Sequence, residues 1–416
     1  MTPASLHTMQ RLAANTRSGY SFEQEFYTSD AVFEADMAHV IGRKWLMAGH
    51  ASQIPAKGDY FLFRVGAEQI IIIRENEQSI RAFFNVCRHR GSILCSADNG
   101  NARKLVCPYH AWTYGLDGAL QSARLMPADF VKADNGLFAC HVRVFHGIVF
   151  VNLSQDEPDD FDATFGDMGA ILDYHGFGDA RIAHSGRYPT TANWKLVVEN
   201  FFECYHCVPS HPEFCSMHAA ESLVAVGAGP SSGPPDAIAA FTPKLKAWEA
   251  SAAAVGRPIG IIDEPPGTSH LRLLMQRMNK ESGRSETQDG SPPAPLMGKR
   301  TSPDGGRMHL SFSPFSQIIA DDYFAVLICF TPRGPMQSDV EIIWLVDGTA
   351  GNSDVDVDKM TWGWDRTTLQ DKRITEDNQA GIMSSRYRPG RYSEQERSVV
   401  NFQKWYLNQF GLDRAD

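Results

Sequence analysis

Along the chain, the spacing of apolar and polar positions changes period several times. Residues 20–50 carry helical spacing, with Phe33, Met37, Val40, Ile41 and Trp45 as the apolar stripe of an amphipathic helix leading into a domain. From Gly58 the period shortens. DYFLFRVG, QIIIIRENEQ and SIRAFFNVC read as short strands separated by Gly, Asn and Asp, the pattern of a small β-sandwich. Asp117-Gly118 is a hairpin turn, because that dipeptide tolerates positive φ, and HVRVFHGIVFVNL closes the region as a strand pair. Pro158, inside the acidic run 156–160, marks a linker. Residues 221–306 are rich in Gly, Pro, Ala and Ser, with one helix expected at Lys244–Val255; such loop-rich insertions often serve as lids. From Met308, MHLSFSPFSQIIA, YFAVLICFTPRG and DVEIIWLVDG read as three consecutive antiparallel strands, and helical spacing then occupies Met360–Met383 and Glu394–Phe410. The expected organisation is α+β: a helical segment over 1–44, an all-β domain over 45–155, and a helix-and-sheet domain over 156–416 that carries the 221–306 insertion.

Composition narrows the classes. A chain of 416 residues that is 43% apolar supports more than one core. A net charge of −10, with pI near 5.8, argues against a nucleic-acid or anionic-membrane partner. The opening MTPASLHTMQRLAANTRSGYSF lacks the apolar run of a signal peptide, and runs such as Ile70–Ile73 or Phe324–Phe330 are too short to span a bilayer. Eight cysteines in so long a chain do not make a disulfide framework, so reduced thiols and a cytoplasmic location are expected. Cys95, Cys140, Cys204, Cys207, Cys215 and Cys329 are expected as small buried apolar residues.

Cys87 and Cys107 belong to a different pattern. Cys87-Arg-His89 and, after 17 intervening residues, Cys107-Pro-Tyr-His110 each supply one thiolate and one imidazole. A Rieske [2Fe–2S] centre needs that set, two cysteines on one iron and two histidines on the other. Structural zinc also takes two Cys and two His, but zinc fingers pair Cys with Cys and His with His, whereas here the types alternate.

A second constellation lies in Glu199-Asn-Phe-Phe-Glu-Cys-Tyr-His-Cys-Val-Pro-Ser-His211. Glu203 and His206, three apart, would share one face of a helix. Pro209 would end that helix near Cys207, and a turn at 208–210 would return His211 to the side of His206. Two imidazoles with one carboxylate make the open facial site of a non-haem Fe(II) oxygenase. Asp365, Asp371, Glu376 and Asp377 share one expected helix, and position alone does not choose among them. Gly227, Gly229 and Gly233 do not form a dinucleotide loop, since Pro230, Pro234 and Pro235 crowd them. Electrons must therefore come from a separate reductase.

Cys87-x-His89, Cys107-x-x-His110 and the block Asn193-Trp-Lys…Glu199-Asn-Phe…Glu203-Cys-Tyr-His206…His211-Pro together resemble the α subunit of a Rieske non-haem iron oxygenase, from about Trp45 to the C-terminus. ENFFECYHC…HPEF and QDKRITEDNQAGIMSSRYRPGRYS resemble the branch acting on quaternary ammonium compounds such as glycine betaine, proline betaine (stachydrine), carnitine or choline. The resemblance implies an N-terminal all-β Rieske domain and a C-terminal helix-grip domain whose antiparallel sheet wraps a long helix. It implies Asp371 as the third ligand, because the family's aspartate stands eight residues before a Gln and ten before a Gly, here Gln379 and Gly381. It implies that Glu203 links the Rieske histidine of one subunit to the iron histidine of the next in a homotrimer. The implied reaction is O2-dependent hydroxylation of an N-methyl carbon with release of formaldehyde, the electrons coming from a flavin- or ferredoxin-type NAD(P)H reductase. An aromatic-ring dioxygenase would use the same centres with an apolar pocket, and a Rieske electron carrier would leave His206, His211 and Asp371 unexplained. A permanent cation calls for aromatic faces; Phe201, Phe202, Trp248, Phe312 and Phe315 are the candidates.

Overall fold

The computed structural model describes residues 3–218, 235–259, 262–263, 273–278 and 284–412. The chain divides into two compact units, residues 43–160 and residues 1–42 together with 161–416.

The second of these begins with helices α1 (Pro3–Asn15), α2 (Gln24–Thr28) and α3 (Asp30–His39). The single amphipathic helix expected from residue 20 onwards is thus broken, and Trp45 lies beyond it, just before a strand. The buried face of α3 is Val32, Ala35 and Asp36, while Phe33 and Met37 are only partly covered. The reason is polar. Asp36 is wholly buried, paired with the Lys195 ammonium and hydrogen-bonded by Trp194 Nε1 at 2.9 Å and Tyr406 Oη at 2.6 Å. An apolar-only pattern cannot see a face set by a carboxylate.

Unit 43–160 holds β1 (Leu46–His50), β2 (Asp59–Val65), β3 (Glu68–Arg74), β4 (Ile80–Phe84), β5 (Asn99–Asn101), β6 (Leu105–Val106), β7 (Thr113–Tyr114), β8 (Leu120–Ser122), β9 (Ala139–Phe145) and β10 (Ile148–Asn152). One sheet runs β1-β10-β9-β4-β3-β2-β5, and a small second sheet runs β6-β7-β8. All pairings are antiparallel. Ile70 to Ile73 are all fully buried because β3 is covered on both faces: Ile71 and Ile73 join a cluster with Cys87, Cys107, Trp112 and Tyr114, while Ile70 and Ile72 point to the opposite face. His146 and Gly147 turn β9 into β10 with φ of 46° and 78°, the left-handed pair that a two-residue hairpin requires.

In the larger unit, β11 (Arg181–Thr190), β12 (Ile262–Asp263), β13 (Leu273–Met278), β14 (Gly306–Ser313), β15 (Ser316–Ala320), β16 (Ala325–Gly334) and β17 (Gln337–Val346) form, among the described residues, one antiparallel sheet ordered β11-β17-β16-β15-β14-β13-β12. MHLSFSPFSQIIA is two strands rather than one, since Pro314 and Phe315 reverse the chain between Ser313 and Ser316. Among the described residues, eight further helices belong to this unit: α4 (Phe161–Phe165), α5 (Gly169–Tyr174), α6 (Trp194–Phe201), α7 (Cys207–Ser210), α8 (Pro212–Met217), α9 (Pro235–Ala254), α10 (Val357–Ile382) and, near the C-terminus, α11 (Arg397–Asn408). Helix α9 starts nine residues before the expected Lys244. Of the rest of the insertion, the stretch with Gly227, Gly229 and Gly233 lies outside the described residues, whereas 284–305 are described, without helix or strand and with Ser285, Glu286, Thr287, Ala294 and Met297 buried. Helix α10 is N-capped by Asp356, whose side chain accepts from Lys359 N, and it packs against β11, α6 and α8. No described helix is long and apolar enough to cross a membrane.

Candidate metal centres and active site

Two loops of the first unit repeat one construction. In the loop from Cys87, Cys87 N donates to Ser92 O at 2.8 Å and Gly91 N to Cys87 O at 2.9 Å; in the loop from Cys107, Cys107 N donates to Trp112 O at 2.8 Å and Ala111 N to Cys107 O at 3.0 Å. The fourth residue after each cysteine is left-handed, Gly91 at φ 76° and Ala111 at φ 57°. Each loop thus folds back on its thiol. Both thiols are 2% exposed, whereas His110 is exposed and His89 half-buried. The His89 and His110 rings lie 4.6 Å apart, and His89 stacks on Trp112. Burial pushes the Cys87 thiol up, with a Tyr114 hydroxyl 3.3 Å away. At Cys107 burial is outweighed by the backbone N–H groups of Tyr109 and His110 and by Cys87, which hold it below the ordinary thiol value. His89 Nδ1 is buried with no hydrogen-bond partner among the described residues. Two buried sulfurs bathed in N–H donors and two outward imidazoles fit a Rieske cluster.

The second constellation forms where α6, α7, α8 and α10 meet. Helix α6 stops at Phe201, so Glu203 and His206 do not lie on one helix. The Glu203 side chain accepts from Tyr205 N and, at 3.3 Å, from His206 N, replacing the helical carbonyls those groups would need. It also takes His206 Nδ1, so the expected pairing arises from a turn. Pro209 does not end a helix but sits inside α7, in the first turn, where no amide donor is required. Cys204 and Cys207, with Cα atoms 4.8 Å apart, are joined by a disulfide, which corrects the expectation of reduced thiols throughout. Cys215 is half-buried; Cys95, Cys140 and Cys329 are buried as expected.

His211 ends α7 and enters α8, which brings its ring within 5.0 Å of the His206 ring. Asp371 Oδ1 lies 2.8 Å from His211 Nε2 and 3.3 Å from His206 Nε2. Of the four candidate acids on α10, only Asp371 reaches this point: Asp365 holds the Tyr188 hydroxyl at 2.8 Å, Glu376 holds Thr191 N and Lys372, and Asp377 is exposed. Behind the site, His211 Nδ1 donates to Gln370 Oε1 at 2.9 Å, and Gln370 Nε2 donates to Glu213 at 2.8 Å. Burial opposes charge on His206, but the Asp371 and Glu203 carboxylates outweigh it and hold its pKa up at about 9. Burial likewise raises Asp371, and the two imidazoles reverse that. His211 Nε2 and Asp371 Oδ1 are buried without a hydrogen-bond partner among the described residues despite their closeness. Ligand atoms about 2.1 Å from one ion and at right angles lie about 3 Å apart, so the trio fits a single metal ion.

A cleft of about 490 Å³, counting its mouth, opens on the trio and is lined by Phe201, Phe214, Arg307, His309 and Trp364. Only Phe201 of the five aromatic candidates is there. Phe202 packs on Phe402, Trp248 beside Arg257, Phe312 on Phe165 and Phe315 on Trp194. Sequence reasoning missed Trp364, though its place seven residues before Asp371, two turns along the same helix face, is a signal that finds it. It also missed Arg307 and His309, which share with Ser311 and Ser313 the polar alternate positions of a strand whose other face is Met308, Leu310 and Phe312.

A β-sandwich with two Cys/His loops, and a sheet-and-helix domain presenting two imidazoles and one carboxylate, define an iron-dependent oxygenase that carries an iron–sulfur domain in the same chain. Residues 44–145 match the Rieske [2Fe-2S] domain and residues 177–411 the ring hydroxylating alpha subunit (catalytic domain), so the chain belongs to the α subunits of the Rieske non-haem iron oxygenases, and it is a monooxygenase. The glycine betaine monooxygenase oxygenase subunit of Pseudomonas aeruginosa (strain UCBPP-PA14) is 36% identical over 426 residues, covering 100% of this chain and 95% of the relative. The carnitine monooxygenase oxygenase subunit of Acinetobacter pittii (strain PHEA-2) is 34% identical over 209 residues, 48% of this chain and 55% of that one. Among solved structures, a quaternary ammonium Rieske monooxygenase has a TM-score of 0.72 over 96% of this chain and 98% of its own, at 24% identity, a likeness of fold.

Proposed function

We propose that the protein hydroxylates an N-methyl group of a quaternary ammonium compound of the glycine betaine or proline betaine type. The observation that carries this is the meeting of His206, His211 and Asp371 in a cleft walled by Phe201, Phe214 and Trp364. A permanent cation has no proton to donate, and aromatic faces attract it without one. Cys87, His89, Cys107 and His110 hold the [2Fe–2S] cluster, and His206, His211 and Asp371 hold the mononuclear iron. Iron bound there would supply O2 activation, and the cluster would supply the electrons, which come from a separate NAD(P)H reductase.

This chain's residues do the rest. Gln370 and Glu203 occupy Nδ1 of His211 and His206, which leaves both Nε2 atoms facing Asp371 and fixes both rings. The cleft holds the N-methyl carbon near that face. Overall, one O2, two electrons and two protons convert N–CH3 to N–CH2OH and water. The carbinol C–N bond then breaks, its electron pair staying on nitrogen, to give formaldehyde, the tertiary amine and a proton. Glu203 bridges to the Rieske histidine of a neighbouring subunit in a homotrimer, and the protein works in the cytoplasm. The test is a panel of N-methylated substrates with reductase and NADH, followed for formaldehyde. One formaldehyde per O2 from a betaine is expected; aromatic diol formation without formaldehyde would refute the reading.

A further inference from the structure

Arg307 stands in the wall of the same cleft and is 1% exposed. It points from β14 on the side that also carries His309, two residues on. Its charge is met by Glu286, whose Oε1 lies 2.8 Å from Arg307 Nε, and more remotely by the buried Asp321. Glu286 is nevertheless fully engaged elsewhere: Oε1 also meets His218 Nε2 at 3.0 Å, and Oε2 accepts from Trp364 Nε1 at 3.0 Å. Although burial works against its charge, Arg307, His218 and Trp364 hold the Glu286 carboxyl down at about 2, so it is ionised at any working pH. One carboxylate with three donors cannot saturate a guanidinium with five N–H groups. Arg307 Nη1 is accordingly buried with no hydrogen-bond partner among the described residues. Leaving such a donor unmatched is costly, and a buried one in a binding cleft is matched by whatever anion enters.

The guanidinium is also held in place. Its Cζ lies 5.5 Å from the Trp364 ring centroid and 5.7 Å from that of Phe214. Trp364 is tied to Glu286 as well, so the rings, the acid and the arginine form one rigid block. Such a block loses little freedom when a planar anion docks.

We infer that Arg307 binds the carboxylate of the substrate, so that the protein acts on quaternary ammonium acids, carrying both charges, and discriminates against quaternary ammonium alcohols and simple tetraalkylammonium ions. This rests on the N-demethylase reading above and adds the anionic half of the substrate. The ammonium end then lies towards Phe201 and the His206–His211–Asp371 trio, and the carboxylate end towards β14. Arg307 acts on specificity: it meets a substrate atom remote from the carbon that is oxidised.

The experiment compares glycine betaine, proline betaine and carnitine with choline and tetramethylammonium, in the holoenzyme and in Arg307→Gln. It measures binding by tryptophan fluorescence, turnover by formaldehyde, and iron content. In the wild type, the best carboxylated substrate should have a KM about 10- to 100-fold below that of choline, the size of one charge-assisted pair. Arg307→Gln should raise that KM relative to the choline KM by the same factor, so that the ratio between them collapses, and should retain its iron. Arg307→Lys should recover part of the loss, because a single ammonium reproduces the charge without the fork. A structural role alone would lower turnover of every substrate alike and leave the ratio untouched, which would overturn the inference. If Arg307→Gln fails to fold, the wild-type ratio decides: equal affinity for betaine and choline overturns it. Absence of formaldehyde from every compound, with carboxylate binding still lost in Arg307→Gln, would instead remove the demethylase reading and leave the carboxylate site standing.

Discussion

Glu199→Gln should change the pH dependence of stability while leaving the fold intact. Glu199 lies in the last turn of α6 and is 8% exposed. Burial pushes its pKa up to about 8 from 4.5; Tyr27, whose hydroxyl donates to the carboxylate at 3.1 Å, and Lys195 offset this only in part. Lys195 is the obvious counter-charge, but Asp36 already holds it. Between pH 4.5 and 8 the folded protein therefore carries a proton that the unfolded chain has released. Stability then falls as pH rises through that window, and is flat beyond it. At about 1.36 kcal/mol per pH unit, the full loss is about 5 kcal/mol as an upper limit, of which about 3 kcal/mol falls between pH 5.5 and pH 8. The amide keeps the shape and accepts the Tyr27 hydrogen bond at every pH. Urea unfolding of the holoprotein and of the variant at pH 5.5, 6.5, 7.5 and 8.5 isolates the effect as the difference between the two proteins. That difference should grow in favour of Glu199→Gln as pH rises. Parallel stability curves would mean that Glu199 is ionised in the folded state, held by the Tyr27 hydroxyl and the Lys195 charge.

Cys107→Ser should abolish the visible absorbance of the cluster while the catalytic unit stays folded, because an alcohol oxygen holds a [2Fe–2S] iron far less well than a thiolate; an unchanged spectrum would sink the Rieske ligand assignment. Asp371→Ala should lose mononuclear iron with the Rieske spectrum intact and turnover reduced by two orders of magnitude or more. Iron content and turnover equal to the wild type would send the search to Asp377. Glu203→Gln should load both centres normally, and its cluster should be reduced normally by dithionite; metal affinity or activity typically changes about 10- to 100-fold when such a partner of a ligating histidine is altered. Here the loss should appear in the step between centres, read by rapid mixing of the prereduced variant with substrate and O2. Wild-type reoxidation coupled to product would take Glu203 out of the electron path.

The features legible in the linear chain are those made by neighbours in sequence. The two Cys/His loops announce themselves because each loop is a local fold of six residues, closed by its own backbone hydrogen bonds. His206 and His211 were similarly visible, five residues apart. Local reading went wrong where a side chain from elsewhere decided the outcome. The buried face of α3 is turned by Asp36 meeting Lys195, 159 residues away. The end of α6 is set by Glu203 capping its own following turn, where residue spacing alone extends the helix.

Position along the helix did not choose among the acids of α10; the family resemblance implied Asp371, and tertiary packing is what brings that one to the histidines. Asp365, Asp371, Glu376 and Asp377 are equivalent as a pattern, and only packing of α10 against α6 and α8 brings Asp371 to the two imidazoles. The same holds for the cleft wall, drawn from α6, α8, β14, β15 and α10. Arg307, Glu286, His218 and Trp364 are spread over almost 150 residues and carry no shared spacing, yet they form one buried charge cluster. The sequence determines what can be read from short-range hydrogen bonding and periodicity, namely the elements and the paired ligands. Which charges are buried together depends on long-range closure of the sheet around α10, and that closure decides what the cleft can bind.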